Sequence, residues 1–269
     1  MKKIVLFLFI TIIATGCQKN NIIKFTLTEV PEKEEFTNSS FDGICDGEVI
    51  DYKIRGDELI VVFNKPITRI IGNFNEILDA DIIKSVEIPN SVTEIGDSAF
   101  EGCNSLEGIL IPNSVKFIGE DAFRKCTSLE SIEIPNSVTK IGPGAFDFCT
   151  SLESIEIPNS ITEIAYGMLW YCTSLKSIEI PNSVEKIGWM AFGHCTSLES
   201  IEIPNSVTTI GGYAFCNCSS LKNLEIPKSV TEIGEYVFEE CISLKEVRIS
   251  RNTDFEHNSF PEEMKIIEY

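Results

Sequence analysis

The apolar positions of this chain recur with one fixed step. From Ile88 onward the same order returns every 23 residues: Ile88-Pro89, Val92, Ile95-Gly96, Ala99-Phe100, Cys103, Leu106, Ile109 and Ile111. Proline stands at 89, 112, 135, 158, 181, 204 and 227, and cysteine at 103, 126, 149, 172, 195, 218 and 241. Leucine keeps the same step at 106, 129, 152, 175, 198, 221 and 244, so that seven units fill residues 88–248. A unit this short cannot bury its apolar face alone, whereas stacked units share a continuous core.

The alternation at the end of Leu106-x-x-Ile109-x-Ile111 predicts a short parallel strand with its aliphatic side chains inward. The proline that follows has no N–H for a continuing ladder, so it ends the strand. Gly96 and its equivalents permit a tight bend. Ala-Phe is then expected on a short helical turn that closes the coil over the core. Eight strands at about 4.8 Å spacing make a core roughly 35 Å long.

Terminal units of such arrays depart from the repeat because they cap exposed core. Ile77, Ile83, Val86 and Ile88 match the strand half of a unit without the Gly and Ala-Phe. At the other end Ile249-Ser250 lacks the proline, and Phe255, Phe260, Ile266 and Ile267 read as a closing flap. Ahead of the array, Val49 to Ile54 and Leu59 to Phe63 read as strands around a turn at Arg55-Gly56-Asp57-Glu58.

The extreme N-terminus is a targeting segment. Lys2 and Lys3 precede an apolar stretch from Ile4 to Ile13 and the small residues Ala14-Thr15-Gly16 before Cys17. That stretch is too short to span a bilayer, which takes about 20 residues. The ending resembles the lipobox of bacterial lipoproteins, although Ala14 stands where Leu, Val or Ile is usual. The resemblance implies cleavage before Cys17, acylation of its thiol, and anchoring in the bacterial cell envelope, at the outer membrane or cell surface. Residues 17–43 are polar and mixed in charge and read as a flexible tether.

The expected organisation is therefore a lipoprotein signal peptide at 1–16, a tether at 17–43, an N-terminal β-hairpin and cap at 44–76, and a repeat domain at 77–269. The unit Ile-Pro-x-Ser-Val-x-x-Ile-Gly-x-x-Ala-Phe-x-x-Cys-x-Ser-Leu-x-x-Ile-x closely resembles the BspA-like leucine-rich repeat. The resemblance implies an α/β leucine-rich-repeat solenoid, curved, with parallel β-strands on one face and short helical turns opposite. It also implies a surface lipoprotein that binds a protein ligand, on host extracellular matrix or another cell's surface, as an adhesin does. A glycan-binding module and a passive structural spacer are the other readings.

Charge narrows the partners. The formal charge of −19 repels nucleic acid and anionic membranes, which leaves the N-terminal lipid as the membrane contact. Loss of Lys2 and Lys3 with the signal segment makes the mature chain more acidic still. Catalysis has no foothold: His194 and His257 are the two histidines, and neither sits in a nucleophile-and-acid arrangement. No cofactor is implied. The periodic cysteines lack the close pairs of zinc sites and read as a ladder of buried structural thiols. Cys45 and Cys216 fall outside that ladder and read as the reactive or paired ones. Arg55-Gly56-Asp57 matches the tripeptide that many integrin ligands display, and Gly-Asp is also ordinary turn chemistry.

Comparison of the units singles out two candidate binding surfaces. The outward residue between the strand isoleucines is Glu87, Leu110, Glu133, Glu156, Glu179, Glu202, Glu225 and Arg248. Five consecutive Glu on neighbouring strands form either a docking surface for a basic partner or a solubilising stripe. The first position after the Gly runs Asp97, Glu120, Pro143, Tyr166, Trp189, Gly212, Glu235, and the fourth unit adds Trp170 and Tyr171. That unit also carries Ala165 for Gly and Met168-Leu169 for Ala-Phe. The rings form a binding patch, or else repack that altered turn.

Overall fold

The computed structural model describes residues 21–29, 43–74, 82–256 and 258–269. The signal segment, Cys17, most of the expected tether and His257 lie outside them. The repeats stack as a parallel-strand solenoid of about eight turns. Strands at the same place in successive coils pair in register, with Ile132 on Ile155 and Ile178 on Ile201. The isoleucine of each faces the core, while the Ser and Glu that flank it are exposed. Each coil also contributes a second short strand, such as Lys140–Ile141 or Lys186–Ile187, just before the repeat glycine. The periodicity had assigned one strand per coil. The Val-x-x-Ile spacing of this second strand carries no alternation by which to recognise it.

The glycine that follows does not bend the backbone into the left-handed region. It lets the coils approach: a β-carbon on Gly119 would meet the backbone nitrogen of Asp97 in the preceding coil at 2.5 Å. The segment after it is not a helix, which corrects the expectation of short helical turns. Two residues per coil, such as Ser98 and Gly102 or Asp121 and Lys125, have φ between 54° and 73°, which an α-helix cannot contain. The amides alternate instead. Ala99, Glu101 and Cys103 donate within the coil to the carbonyls three residues back, at 3.4, 3.0 and 3.2 Å. Ser98, Phe100 and Gly102 donate across to Glu120, Ala122 and Arg124 of the next coil, at 2.8, 2.8 and 2.7 Å. The turn face is thus a third hydrogen-bonded ladder, and its backbone polar groups are satisfied without helix.

The core is a column of rings. Phe74, Phe100, Phe123 and Phe146 stack at 5.2, 5.3 and 5.5 Å between centroids, and Phe192, Phe215, Phe238 and Phe260 stack at 5.3, 5.7 and 5.4 Å. Leu169 interrupts the column in the fourth coil. Beside it run the periodic cysteines, all buried and unpaired. Each thiol from Cys126 to Cys241 donates to the carbonyl one coil back, as Cys126 does to Phe100 at 3.2 Å. Burial raises their pKa values, to about 12 for Cys195. Cys45 and Cys216 are also free and buried, contrary to the expectation for these two. Burial pushes Cys216 up to about 11, with Glu239 and Glu240 adding to the rise.

The N-terminal end is closed by antiparallel strands. Strand β1 (Ile22–Leu27) lies between β3 (Glu58–Phe63) and the first solenoid strand (Ile83–Glu87), with β2 (Val49–Arg55) outermost. Residues 22–27 were expected in the tether. Their alternation decides otherwise: Ile23, Phe25 and Leu27 are buried, and Phe25 meets the ring column edge-on at Phe74, 5.0 Å away. The polar average of residues 17–43 had hidden a six-residue strand. At the C-terminal end Lys265–Glu268 pairs parallel to Glu246–Ile249 and carries the strand face one coil further.

Candidate binding surfaces

On the strand face the structure brings the five glutamates into line. Glu133, Glu156, Glu179, Glu202 and Glu225 are all exposed, and Glu133 pairs in register with Glu156 and Glu179 with Glu202. A shallow trough of about 670 Å³ runs over Glu133, Glu156 and Glu179, floored by Ser131, Ser154 and Ser177. A cation bounds the stripe at its C-terminal end, where Arg248 pairs with Glu225 at 3.4 Å, and Lys24 pairs with Glu87 two coils before Glu133 at 2.9 Å. Among the described residues, the four glutamates from Glu133 to Glu202 have no ion pair. A neighbouring column does, with Lys84–Glu107, Lys176–Glu153 and Lys222–Glu199 at 3.3, 2.9 and 2.7 Å.

The turn face carries the aromatics, and more of them than the sequence reading found. Tyr166 and Trp189 are half-exposed, at 50% and 40%, with ring centroids 6.1 Å apart. Trp189 also meets Tyr213 edge-on at 5.5 Å, and Tyr213 lies 5.0 Å from Tyr236. A second stack runs Phe148, Tyr171, His194, at 4.5 and 4.1 Å with nearly parallel planes. His194 Nδ1 lies 2.9 Å from the Asn217 side-chain amide, and partial burial lowers the His194 pKa. These three residues share a slot with φ of 57–61°, and comparing that slot between units would have revealed the stack.

Both tryptophans lie over a glycine of the next coil. A β-carbon on Gly193 would meet the Trp170 ring at 3.3 Å, and one on Gly212 would collide with Trp189 Nε1. The rings are therefore laid against the solenoid rather than held away from it. Packing and exposure coexist: the rings rest on the next coil and still leave apolar area in water.

Beside Trp170 lies a charged cluster that the sequence reading missed. Arg124 Nε donates to Asp147 Oδ2 at 3.1 Å, and its Nη1 reaches Glu101 at 3.3 Å and Asp121 at 4.0 Å. Asp147 Oδ1 is shielded from solvent with no hydrogen-bond partner. Burial outweighs the pull of Arg124 and pushes Asp147 up to about 6. Asp147 stands in the slot that Trp170 fills one coil later, so the signal was present in the same unit comparison.

Arg55 ends β2, and Gly56 and Asp57 form the exposed turn into β3, where the Asp57 carbonyl accepts the Leu27 amide at 2.8 Å. Among the described residues no three His, Cys, Asp or Glu side chains are grouped to hold a metal ion, and no helix is long and apolar enough to cross a membrane.

The family model described as a BspA type leucine rich repeat region matches six copies of its unit, over residues 75–195 and 168–268. The chain belongs to this family. Among solved structures, this BspA-type solenoid is similar to a leucine-rich repeat protein from Bacteroides ovatus, with 30% identity and a TM-score of 0.60. That match covers 81% of this chain, which spans 58% of the length of the Bacteroides protein. A leucine-rich repeat protein of T. pallidum is 31% identical with a TM-score of 0.57, over 72% of this chain and 87% of that one. No curated protein matches the sequence. A leucine-rich-repeat solenoid is a scaffold for protein interaction, with extended surfaces built from repeated positions.

Proposed function

We propose that this chain is a surface-tethered module of the bacterial cell envelope, anchored by lipid on Cys17, that binds a protein partner through the aromatic patch of its turn face. It is a binding protein and not an enzyme. The observation that carries the reading is the exposure of Tyr166 and Trp189 beside Trp170, in slots that other coils fill with Asp97, Glu120, Glu101 and Arg124. The fold does not need rings there, and leaving apolar area in water is unfavourable by about 25 cal/mol per Å². Such residues concentrate binding energy when a partner covers them. The rings are also held in place by their neighbours, so little freedom is lost on contact.

The test is affinity capture from native surroundings with the chain and with a Tyr166→Ser, Trp189→Ser variant. The expected result is a saturable partner that the variant binds at least ~30-fold more weakly, the scale of about 2 kcal/mol for a hot spot, while the variant's circular dichroism and melting stay close to the parent's. Unchanged partner binding by the folded variant overturns the patch. Binding that a soluble polysaccharide abolishes shifts the reading to a glycan module that uses the same rings.

A further inference from the structure

We propose that the groove beside Trp170 on the turn face is a receptor for a lysine side chain presented by the partner. The inference rests on the protein-binding reading above and assigns the chemistry of one contact within it. The groove holds about 370 Å³ and is walled by Tyr166, Trp170 and Met190 on one side and Asp121, Arg124 and Asp147 on the other.

Its charge is unbalanced. Glu120, Asp121 and Asp147 face one guanidinium, and that guanidinium is already divided between Asp147, Glu101 and Asp121. A second cation in the groove supplies positive charge where carboxylates outnumber it. An anion is disfavoured, because Arg124 is the one cation among the lining residues and is already shared by carboxylates. A neutral sugar could stack on the indole but leaves the charge excess uncompensated.

The apolar wall fits the rest of a lysine. Four methylenes pack on Trp170, Tyr166 and Met190 while the ammonium sits at the carboxylate end. A cation close to an indole or phenol face gains further from the ring quadrupole. The wall is built in advance, because Trp170 rests on Gly193 and the Tyr166 hydroxyl lies 3.6 Å from Met190 Sδ. The same groove sets a pH dependence. Asp147 faces Arg124 and Asp121, with Glu101, Glu120 and Asp97 around them, and its proton competes with the ligand's charge.

The experiment follows the two indole N–H resonances of the full chain, assigned with Trp170→Phe, at ~150 mM salt, where long-range attraction to an acidic surface is screened. The probes are Nα-acetyl-lysine methylamide and its Nε-acetylated, uncharged form. The Trp170 signal should shift saturably with the amine and not with the acetylated form. Affinity should fall about fivefold between pH 7.5 and pH 5, and about tenfold in Asp147→Asn. Asp121→Asn, which leaves the Arg124–Asp147 contact intact, serves if that variant does not fold. Equal binding of both probes, or unchanged amine binding in the folded variants, overturns the proposal. A captured partner whose lysines are acetylated and which still binds through the rings overturns it too, and leaves the patch reading standing.

Discussion

Trp189 lies in the space that a side chain on Gly212 would need, and Gly212 holds in the next coil the slot that Trp189 holds in its own. The same relation joins Trp170 to Gly193, with more room: the nearest ring atoms would lie 3.3 Å from the added carbon. Each large ring is thus paired with an absent side chain one coil on.

Gly212→Ala should therefore displace Trp189 outward and destabilise the solenoid by about 1–2 kcal/mol, as overpacking does. Gly193→Ala should cost less, because a shift of a few tenths of an ångström relieves it. Chemical denaturation and the emission maximum of the two tryptophans measure both effects. Adding Trp189→Ala to Gly212→Ala should recover most of the loss, a coupling expected only if the two residues compete for one space. Equal losses in Gly212→Ala with and without Trp189 would show that the backbone, and not the ring, opposes the methyl.

The ring column makes a second prediction. In the fourth coil Leu169 takes the place of Phe, and Met168 takes the place of the small residue beside it, so volume is traded between adjacent sites. Leu169→Phe alone should overpack and cost about 1–3 kcal/mol. Combined with Met168→Ala it should rejoin the stack between Phe146 and Phe192 and come within about 1 kcal/mol of the parent, aided by aromatic contacts. Urea midpoints at constant slope give the comparison. A double variant as unstable as the single one would mean that the altered turn, and not the core volume, sets the fourth coil apart.

These cases show where the sequence was legible. A period of 23 residues specifies which positions face inward, because every coil must present the same side to the same neighbour. Leu-x-x-Ile-x-Ile and Cys103 with its equivalents could be placed without coordinates for that reason. The backbone of the turn could not. Positive φ at Lys125, Phe148, Tyr171 and His194 leaves no mark in composition, since four different side chains occupy it. The strand at Ile22–Leu27 was concealed by its polar surroundings. The Arg124–Asp147 pair joins residues one coil apart, a contact visible only once the two slots are known to be neighbours. The exposed Tyr166 and Trp189 were legible because they broke the repeat.

On the strand face, repulsion within the glutamate stripe is testable. Glu179 lies in register with Glu202 and has no ion pair among the described residues. Glu179→Gln should leave stability unchanged or raise it by a few tenths of a kcal/mol at low salt, and the gain should vanish near 1 M salt. Thermal melts at the two salt concentrations measure this. A clear loss of stability would reveal a partner for that carboxylate, and would turn attention to the trough as a recognition surface.

The pH dependence of stability should report Asp147. Its pKa rises from 3.8 to about 6 on folding, chiefly through burial. The folded chain therefore holds this proton more tightly than the unfolded chain does. The stability it contributes is fully present below pH ~4 and is lost as pH rises through about 6. Above that, the native state carries a buried charge that Arg124 only partly offsets. Asp147→Asn mimics the protonated form at every pH. It should match the parent near pH 4 and exceed it at pH 7.5 by on the order of 1 kcal/mol, a figure reduced from the full shift for partial solvent screening. Urea unfolding between pH 4 and 8 supplies the two curves. Asp121 is raised as well, again mainly by burial, so Asp121→Asn should move in the same direction. If Asp147→Asn is instead the less stable form at pH 7.5, the attraction between Asp147 and Arg124 outweighs the cost of burial. The carboxylate would then already have the cation it needs, and the groove would have no call for a second.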